Sequence, residues 1–88
     1  MQIPAPSALV WNQMGIAYEM LFDYKHAMRC YSESLKINPR DPVVPNNLAT
    51  AQDGTKQFSS AERTYRKSLK LEPNSALTLK NLGTNLLM

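Results

Sequence analysis

The feature that most constrains the fold of this chain is an internal sequence repeat. When residues 8–41 are aligned with residues 42–75, ten of the 34 pairs are identical. Average residue usage would give about two identities by chance. A period of this length is typical of repeat architectures, in which each unit packs mainly against its neighbours. The identical pairs include Asn12/Asn46, Ala17/Ala51, Ala27/Ala61, Tyr31/Tyr65, Ser34/Ser68 and Pro39/Pro73.

Each unit has the hydrophobic spacing of two helices. Trp11, Gly15 and Tyr18 lie at i, i+4 and i+7, so they share one helix face. Tyr31 and Leu35 share a face of the next helix in the same way. A proline closes each unit, and proline disfavours helix at the residue before it. The pattern predicts helices near residues 8–21, 24–37, 43–53, 58–71 and 76–88.

The spacing of the large and small residues within the units is also distinctive. The first unit reads Trp11-x2-Met14-Gly15-x2-Tyr18, then Ala27-x3-Tyr31 and Pro39. The second reads Pro45-x2-Leu48-Ala49-x2-Gln52, then Ala61-x3-Tyr65 and Pro73, and a third begins Leu79-x2-Leu82-Gly83-x2-Leu86. This pattern resembles the tetratricopeptide repeat, which has Trp-x2-Leu-Gly-x2-Tyr, Ala-x3-Phe and Pro. The resemblance implies an all-α fold, a helix-turn-helix repeat solenoid forming a segment of a right-handed α-superhelix with about five helices.

The repeat divides the chain into an extended leader (1–7), a first repeat (8–41), a second repeat (42–75) and the first helix of a third (76–88), together one domain. We expect the chain to be a fragment of a longer array, because the last helix lacks a second helix to pack against. Its apolar residues then form an exposed hydrophobic end: Leu79, Leu82 and Leu86.

The small residues of the pattern predict close helix crossings. Gly15, Ala49 and Gly83 occupy the same position in successive units, where a missing or short side chain lets two helix backbones approach. The second unit departs from the pattern, with Pro45 in place of the aromatic residue. In addition, Gly54 is expected to end its helix early through a left-handed cap.

The composition argues against catalysis, cofactors and metal sites. The chain has a single histidine, His26, a single cysteine, Cys30, and three glycines. It therefore offers neither a cluster of metal ligands nor a glycine-rich phosphate loop. One cysteine also excludes an internal disulfide framework, which favours a cytoplasmic location. We interpret His26 as a surface residue and Cys30 as a plain thiol.

Nucleic acid and membrane partners are disfavoured for similar reasons. The net charge is only +3, and acidic residues interleave with the basic ones on the second helices. No exposed aromatic platform accompanies those charges. No apolar run approaches the roughly 20 residues that a membrane-spanning helix requires.

The resemblance implies that the first helices of the units line a concave groove. Gln13, Asn47 and Asn81 occupy the same position in successive units, so they are predicted to form a ladder of carboxamides along it. A carboxamide both donates and accepts hydrogen bonds and so can pair with the backbone of an extended peptide. The alternative is that these are simply polar residues on a wet face. Ile16, Glu19 and Asp53 are expected on the same face, and the predicted groove residues are Asn12, Gln13, Asn46, Asn47, Thr50, Lys80, Asn81 and Thr84.

One specialisation of the family grips the C-terminal carboxylate of chaperones with a basic clamp. That clamp uses Lys and Asn in the first unit, Asn in the second, and Lys and Arg in the third. Here the corresponding residues supply no cation, so a chaperone tail is a disfavoured partner. The residues are Asn12, Ile16, Asn47, Leu77 and Asn81, of which only Asn47 matches.

The resulting functional prediction is a non-catalytic protein–protein interaction scaffold that binds a partner peptide or helix in the concave groove. The alternative is a self-assembly module that forms homo-oligomers through the exposed C-terminal helix.

Overall fold

A computed structural model describes residues 5–88 of the chain, and this range contains only helices and the turns between them. The predicted all-α fold with five helices is confirmed, and helix ends differ from the prediction by at most two residues. Residues 1–4 of the predicted leader lie outside the described residues. The helices are α1 (Ala8–Met20), α2 (Tyr24–Ile37), α3 (Val43–Gly54), α4 (Phe58–Leu71) and α5 (Ala76–Leu86).

Side chains cap three of the helices at their N-termini. Ser7, Asp23 and Ser75 each accept a hydrogen bond from the backbone N–H three residues later, at 3.2–3.3 Å. Such caps satisfy donors that have no partner within the helix, and each typically contributes about 0.5–2 kcal/mol. At the start of α3, the Asp41 carboxylate accepts from the backbone N–H of Val43 at 2.8 Å. These polar residues mark the starts of α1, α2, α3 and α5, whereas Gln57 before α4 makes no such side-chain bond.

The turn from the first to the second helix is the same in both units. Phe22 and Lys56, which occupy equivalent positions in the two units, have backbone φ angles of 60° and 63°. After each of them, the next backbone N–H donates to a carbonyl five residues earlier at 2.9 Å. This is the Schellman arrangement, in which the left-handed position usually holds glycine. Both turns therefore place a residue with a side chain in a conformation that favours glycine.

Gly54 does not provide the left-handed cap predicted from the sequence. It is the last residue of α3 and has no positive φ angle. A Cβ atom at Gly54 would lie 2.6 Å from the ring of Tyr24. Glycine is therefore needed here because α3 approaches the Tyr24 ring closely, and the prediction of a left-handed cap at Gly54 is wrong.

The core consists of two clusters, each organised around a buried tyrosine. Tyr31 packs with Ala27, Val44 and Ala51, whereas the second cluster surrounds Tyr65. A Cβ atom at Gly15 would lie 2.5 Å from the Tyr31 ring, so glycine makes room for the tyrosine. The prediction that a small residue allows close packing at position 15 is confirmed.

Buried serines connect the two helices of each unit. The Ser34 hydroxyl donates to the carbonyl oxygen of Ala8 at 2.8 Å, and the Ser68 hydroxyl donates to that of Pro42 at 2.7 Å. Both serines are almost fully buried. The bonds tie the end of the second helix to the start of the first, which explains why serine occurs at this position in both units.

The inner face of α5 packs against α3 and α4. Leu82 is only 7% exposed and contacts the cluster of Ala49, Ala61 and Tyr65. The prediction that Leu82 belongs to the exposed hydrophobic end is therefore wrong, because Leu82 lies on the face of α5 that packs inward. Leu79 and Leu86 remain 50% and 55% exposed.

Gly83 differs from its counterpart in the first unit. A Cβ atom there would have no neighbour within 4 Å, since no second helix follows α5 in residues 5–88. The close helix crossing predicted at Gly83 is thus not present.

Candidate functional site

The first helices of the units, α1, α3 and α5, lie side by side and are joined by hydrogen bonds between polar side chains. We call the surface they form the first-helix face. Among the residues predicted to line it, those at the helix junctions are half-buried and those beyond them are exposed. The half-buried ones are Asn12, Asn47, Thr50 and Asn81, and the exposed ones are Gln13, Lys80 and Thr84.

Asn46 is the exception among the predicted groove residues. It is only 4% exposed, because its carboxamide lies between α3 and α5. The Asn81 Nδ2 donates to Asn46 Oδ1 at 3.1 Å. Asn46 therefore holds adjacent repeats together rather than facing a partner, and its place among the groove residues is corrected.

The same hydrogen bond recurs one repeat earlier. The Asn47 Nδ2 donates to Asn12 Oδ1 at 3.0 Å. Asn47 and Asn81 are thus oriented by the preceding repeat. Gln13, the first member of the predicted ladder, is exposed and makes no such bond within the described residues. A carboxamide has two N–H groups and a carbonyl oxygen, so the bond to the preceding repeat engages only one of its groups.

A carboxylate occupies the first-helix face of the first unit. Glu19 accepts a hydrogen bond from the Tyr31 hydroxyl to Oε1 at 2.7 Å. The Thr50 hydroxyl lies 2.9 Å from Oε2 of Glu19 and 2.7 Å from the carbonyl oxygen of Asn47, so its single hydrogen serves one of these acceptors at a time. Glu19 therefore links α1, α2 and α3.

Asp53 is the equivalent carboxylate in the second unit. It accepts from the Tyr65 hydroxyl at 2.9 Å and from Asn85 Nδ2 at 2.7 Å. The sequence placed both acids on this face but did not reveal the tyrosine–carboxylate pairs. Their signal was an acid on the first helix and a tyrosine on the second, recurring at equivalent positions of the two units.

The environment of these pairs fixes the protonation state of the tyrosines. Burial, followed by the hydrogen bond to Glu19, raises the pKa of Tyr31 well above its usual range. Burial and the hydrogen bond to Asp53 raise the pKa of Tyr65 in the same direction. Both hydroxyls therefore stay protonated and donate to Glu19 and Asp53.

These carboxylates give the first-helix face a negative character. Within residues 5–88, neither Glu19 nor Asp53 has a Lys, Arg or His nitrogen within 4.0 Å. Glu19 lies in the wall of an open pocket of about 500 Å³, which we call the groove pocket. Its lining residues are Ile16, Glu19, Met20, Phe22, Tyr24, Tyr31, Asn47 and Thr50.

The single histidine and the single cysteine, His26 and Cys30, both interact with neighbouring residues of the fold. His26 Nδ1 lies 2.8 Å from Asp23 Oδ2, and its hydrogen bond lowers the pKa of that carboxyl group. The imidazole ring also stacks on Tyr18. Cys30 is buried, and burial raises the pKa of its thiol, which disfavours the reactive thiolate.

The described part of the chain contains neither a metal-binding cluster nor a membrane-spanning helix. Residues 5–88 bring together no group of three His, Cys, Asp or Glu side chains that could hold a metal ion. No helix in this range has both the length and the apolar character needed to cross a membrane.

Comparisons with known proteins agree with this architecture. Two family models, both described as tetratricopeptide repeat, match residues 8–41 and 46–75. A search of curated proteins gave no match.

Two solved structures are similar over nearly the whole chain. One is the second TPR domain of the human RPAP3 protein, solved by NMR in complex with the HSP70 peptide SGPTIEEVD. It has a TM-score of 0.88 and 18% identity, over 91% of this chain and 67% of that chain. The other is the second TPR of Spaghetti (RPAP3) bound to the HSP90 peptide SRMEEVD, with a TM-score of 0.88 and 18% identity, over 92% of this chain and 75% of that chain. With its two matched repeats and this shared fold, the chain belongs to the tetratricopeptide repeat family.

Proposed function

We propose that this chain is a non-catalytic protein-interaction module that binds an extended peptide or a helix across its first-helix face. The observation that carries the proposal is the pair of half-buried carboxamides, Asn47 and Asn81, each oriented by a bond to the preceding repeat. Their remaining donor and acceptor groups suit the N–H and C=O groups of a partner backbone. The two similar structures, both complexes with peptides, support a peptide as the partner.

The charge of the face bears on which peptides would bind. Among residues 5–88, no cation lies beside the carboxylates of Glu19 and Asp53, and like charges across an interface are unfavourable. Lys80 is the only cation among the predicted groove residues. We therefore propose neutral or cationic segments as partners. The HSP70 and HSP90 peptides in the two similar structures both end in Glu-Glu-Val-Asp, so an acidic chaperone tail is the competing partner that the charge argument must be tested against.

Three matched peptides test this proposal by isothermal titration calorimetry. The first is a capped nine-residue peptide of Ser, Thr, Val and Pro, and the others replace two of its residues by Lys or by Glu. We expect the neutral and Lys peptides to bind more tightly than the Glu peptide. Binding that is tightest for the Glu peptide, or for SRMEEVD, would refute the charge argument.

Substitutions in the wild-type background test the role of the carboxamides. Asn47→Ala and Asn81→Ala should each weaken binding of the neutral peptide about 2–10-fold, which is the usual effect of losing one net hydrogen bond. Asn74→Ala is the matched control, since Asn74 is exposed in the turn before α5. The carboxamide proposal fails if the two groove variants bind as tightly as this control.

A second candidate function is self-assembly through α5. Leu79 and Leu86 expose half or more of their side chains, and Leu87 and Met88 beyond them are also exposed. Pairing of these residues with a second copy would bury apolar surface. Sedimentation equilibrium should then show a dimer that Leu79→Lys/Leu86→Lys dissociates. A monomer in both forms, across concentration, rules out this candidate.

A further inference from the structure

A second pocket, of about 410 Å³, lies between α2, α3 and α4. We call it the back pocket. Its apolar walls include Leu35 from α2, Pro45 and Leu48 from α3, and Leu71 from α4. Lys67 and Lys70 contribute to its lining from α4. The volume lies within the range of about 300–1,000 Å³ that ligand pockets usually occupy.

The internal repeat accounts for this pocket. Pro45 occupies the position that Trp11 occupies in the first unit. Proline is much smaller than tryptophan, and the space beside Pro45 and Leu48 is left open to the exterior. Pro45 is itself buried within the first turn of α3, where its missing N–H would have had no partner in the helix. The second unit thus has a place for a large side chain that it does not fill.

The charges at the back pocket are positive and locally uncompensated. Lys67 and Lys70 are exposed, and no carboxylate oxygen of the described residues lies within 4.0 Å of either ammonium group. Two acids on these helices have other partners, since Glu33 binds Lys36 at 3.0 Å and Glu62 lies 3.7 Å from Arg66, and Glu72 directly after α4 is within 4.0 Å of neither lysine. The lysines are therefore available to carboxylates from outside the chain.

The back pocket is separate from the first-helix face. Pro45 and Asn47 are two residues apart on α3, which places them about 200° apart around the helix axis. The two surfaces also differ in charge, since carboxylates occupy the first-helix face and lysines accompany the back pocket. An occupant of one surface does not cover the other.

We propose that the back pocket is a second docking site, for an acidic protein segment that inserts one aromatic side chain. The inserted ring contacts Leu35, Pro45 and Leu48, and carboxylates flanking it bind Lys67 and Lys70. Interfaces commonly concentrate their affinity in such an arrangement, with one anchoring side chain in a pocket and charged groups around it. This proposal does not depend on peptide binding at the first-helix face.

Fluorescence anisotropy with a labelled peptide tests the proposal. The probe is a single Trp flanked on each side by two Asp residues and by Gly-Ser ends. We expect Lys67→Glu/Lys70→Glu to weaken its binding at least tenfold. The control Lys25→Glu/Arg29→Glu carries the same change in net charge on an exposed part of α2 outside the pocket and should change binding less than twofold.

A probe with Gly in place of Trp tests the apolar part of the site and should bind at least tenfold more weakly. Pro45→Trp should block the site by filling it from within. NMR of the wild-type protein provides a test that no variant's folding can compromise. The Trp probe should shift the amide signals of Leu48, Thr64 and Lys67 and leave those of Asn47 and Thr50 in place.

Four results would overturn the proposal. The first is equal weakening by the two double charge variants, which would reduce the effect to net charge. The second is equal binding of the Trp and Gly probes, and the third is NMR shifts confined to the first-helix face. The fourth is a dimer in sedimentation equilibrium that Lys67→Glu/Lys70→Glu dissociates, which would identify a second copy of this chain as the occupant.

Discussion

The packing of Gly15 against Tyr31 can be tested by comparing two identical substitutions. A Cβ atom at Gly15 would lie 2.5, 2.7 and 3.0 Å from three carbons of the Tyr31 ring. Carbon atoms in contact are normally about 3.5–4.0 Å apart, so the ring would have to move by about 1 Å. The Tyr31 hydroxyl is bonded to Glu19 at 2.7 Å, which opposes that movement. Gly15→Ala should therefore overpack the core at a cost of about 1–3 kcal/mol.

Gly83→Ala is the matched control because Gly83 holds the same repeat position within a helix but has nothing within 4 Å of its Cβ site. It gains only the helix propensity of alanine, up to about 1 kcal/mol. The same gain applies at Gly15, so the difference between the two variants isolates the packing term. The second unit carries Ala49 at this position, next to Tyr65, and the Gly15 variant is therefore expected to fold.

Urea unfolding followed by circular dichroism measures the difference. We expect Gly15→Ala to be less stable than Gly83→Ala by about 1–3 kcal/mol, or roughly 4–8 °C in melting temperature for each kcal/mol. When Tyr31→Phe is added to both alanine variants, the difference in stability between them should become smaller, because Glu19 no longer holds the ring in place. Equal stability of the two alanine variants, within about 0.5 kcal/mol, would refute the packing argument.

Three further predictions concern stability. Ser34→Ala should lower the free energy of unfolding by about 1–2 kcal/mol in urea titrations, because it removes the hydrogen bond from the buried Ser34 hydroxyl to the half-buried Ala8 carbonyl. An unchanged midpoint would contradict this. Lys56→Gly should raise the free energy of unfolding by about 0.5–1 kcal/mol, since glycine adopts the left-handed φ of 63° without steric cost. A loss of stability would contradict this explanation of the turn. The raised pKa values of Tyr31 and Tyr65 predict that their contribution to stability is constant below pH 10 and falls as the pH rises above 10, because the tyrosines ionise first in the unfolded chain. Replacing both by Phe should flatten this alkaline loss, and a wild-type stability that is constant up to pH 12 would refute the assignment.

The sequence predicted the helices well because their signals are local. The repeat period, the spacing of Trp11, Gly15 and Tyr18, and the prolines that close each unit are all visible along the chain. Within the repeat, the tight fit between Gly15 and Tyr31 was also predictable, since a small and a large residue recur at fixed positions.

The predictions of burial were wrong at positions where burial depends on contacts between repeats. Asn46 aligns with Asn12, yet Asn46 is buried and Asn12 only half-buried, because α5 and its Asn81 pack over Asn46. Leu82 was expected to be exposed, but the orientation of α5 turns that residue toward Tyr65. Such differences between equivalent positions depend on which neighbouring helix is present.

The sequence indicated which residues lie on the first-helix face, but not the hydrogen bonds that join them. Asn47 and Asn81 were identified from their period, whereas the bonds that orient them run to residues 35 positions earlier. The carboxylates of Glu19 and Asp53 were placed on the correct face, but their tyrosine partners lie on a different helix. Only the packing of the helices brings these groups together.

The most direct test of the proposed function is a single NMR titration of the wild-type protein with the capped neutral peptide. We expect saturable shifts of the side-chain amide signals of Asn47 and Asn81, with the signals of Leu79 and Leu86 unaffected. Shifts confined to Leu79 and Leu86, or shifts that follow protein concentration and not peptide concentration, would contradict peptide binding at the first-helix face.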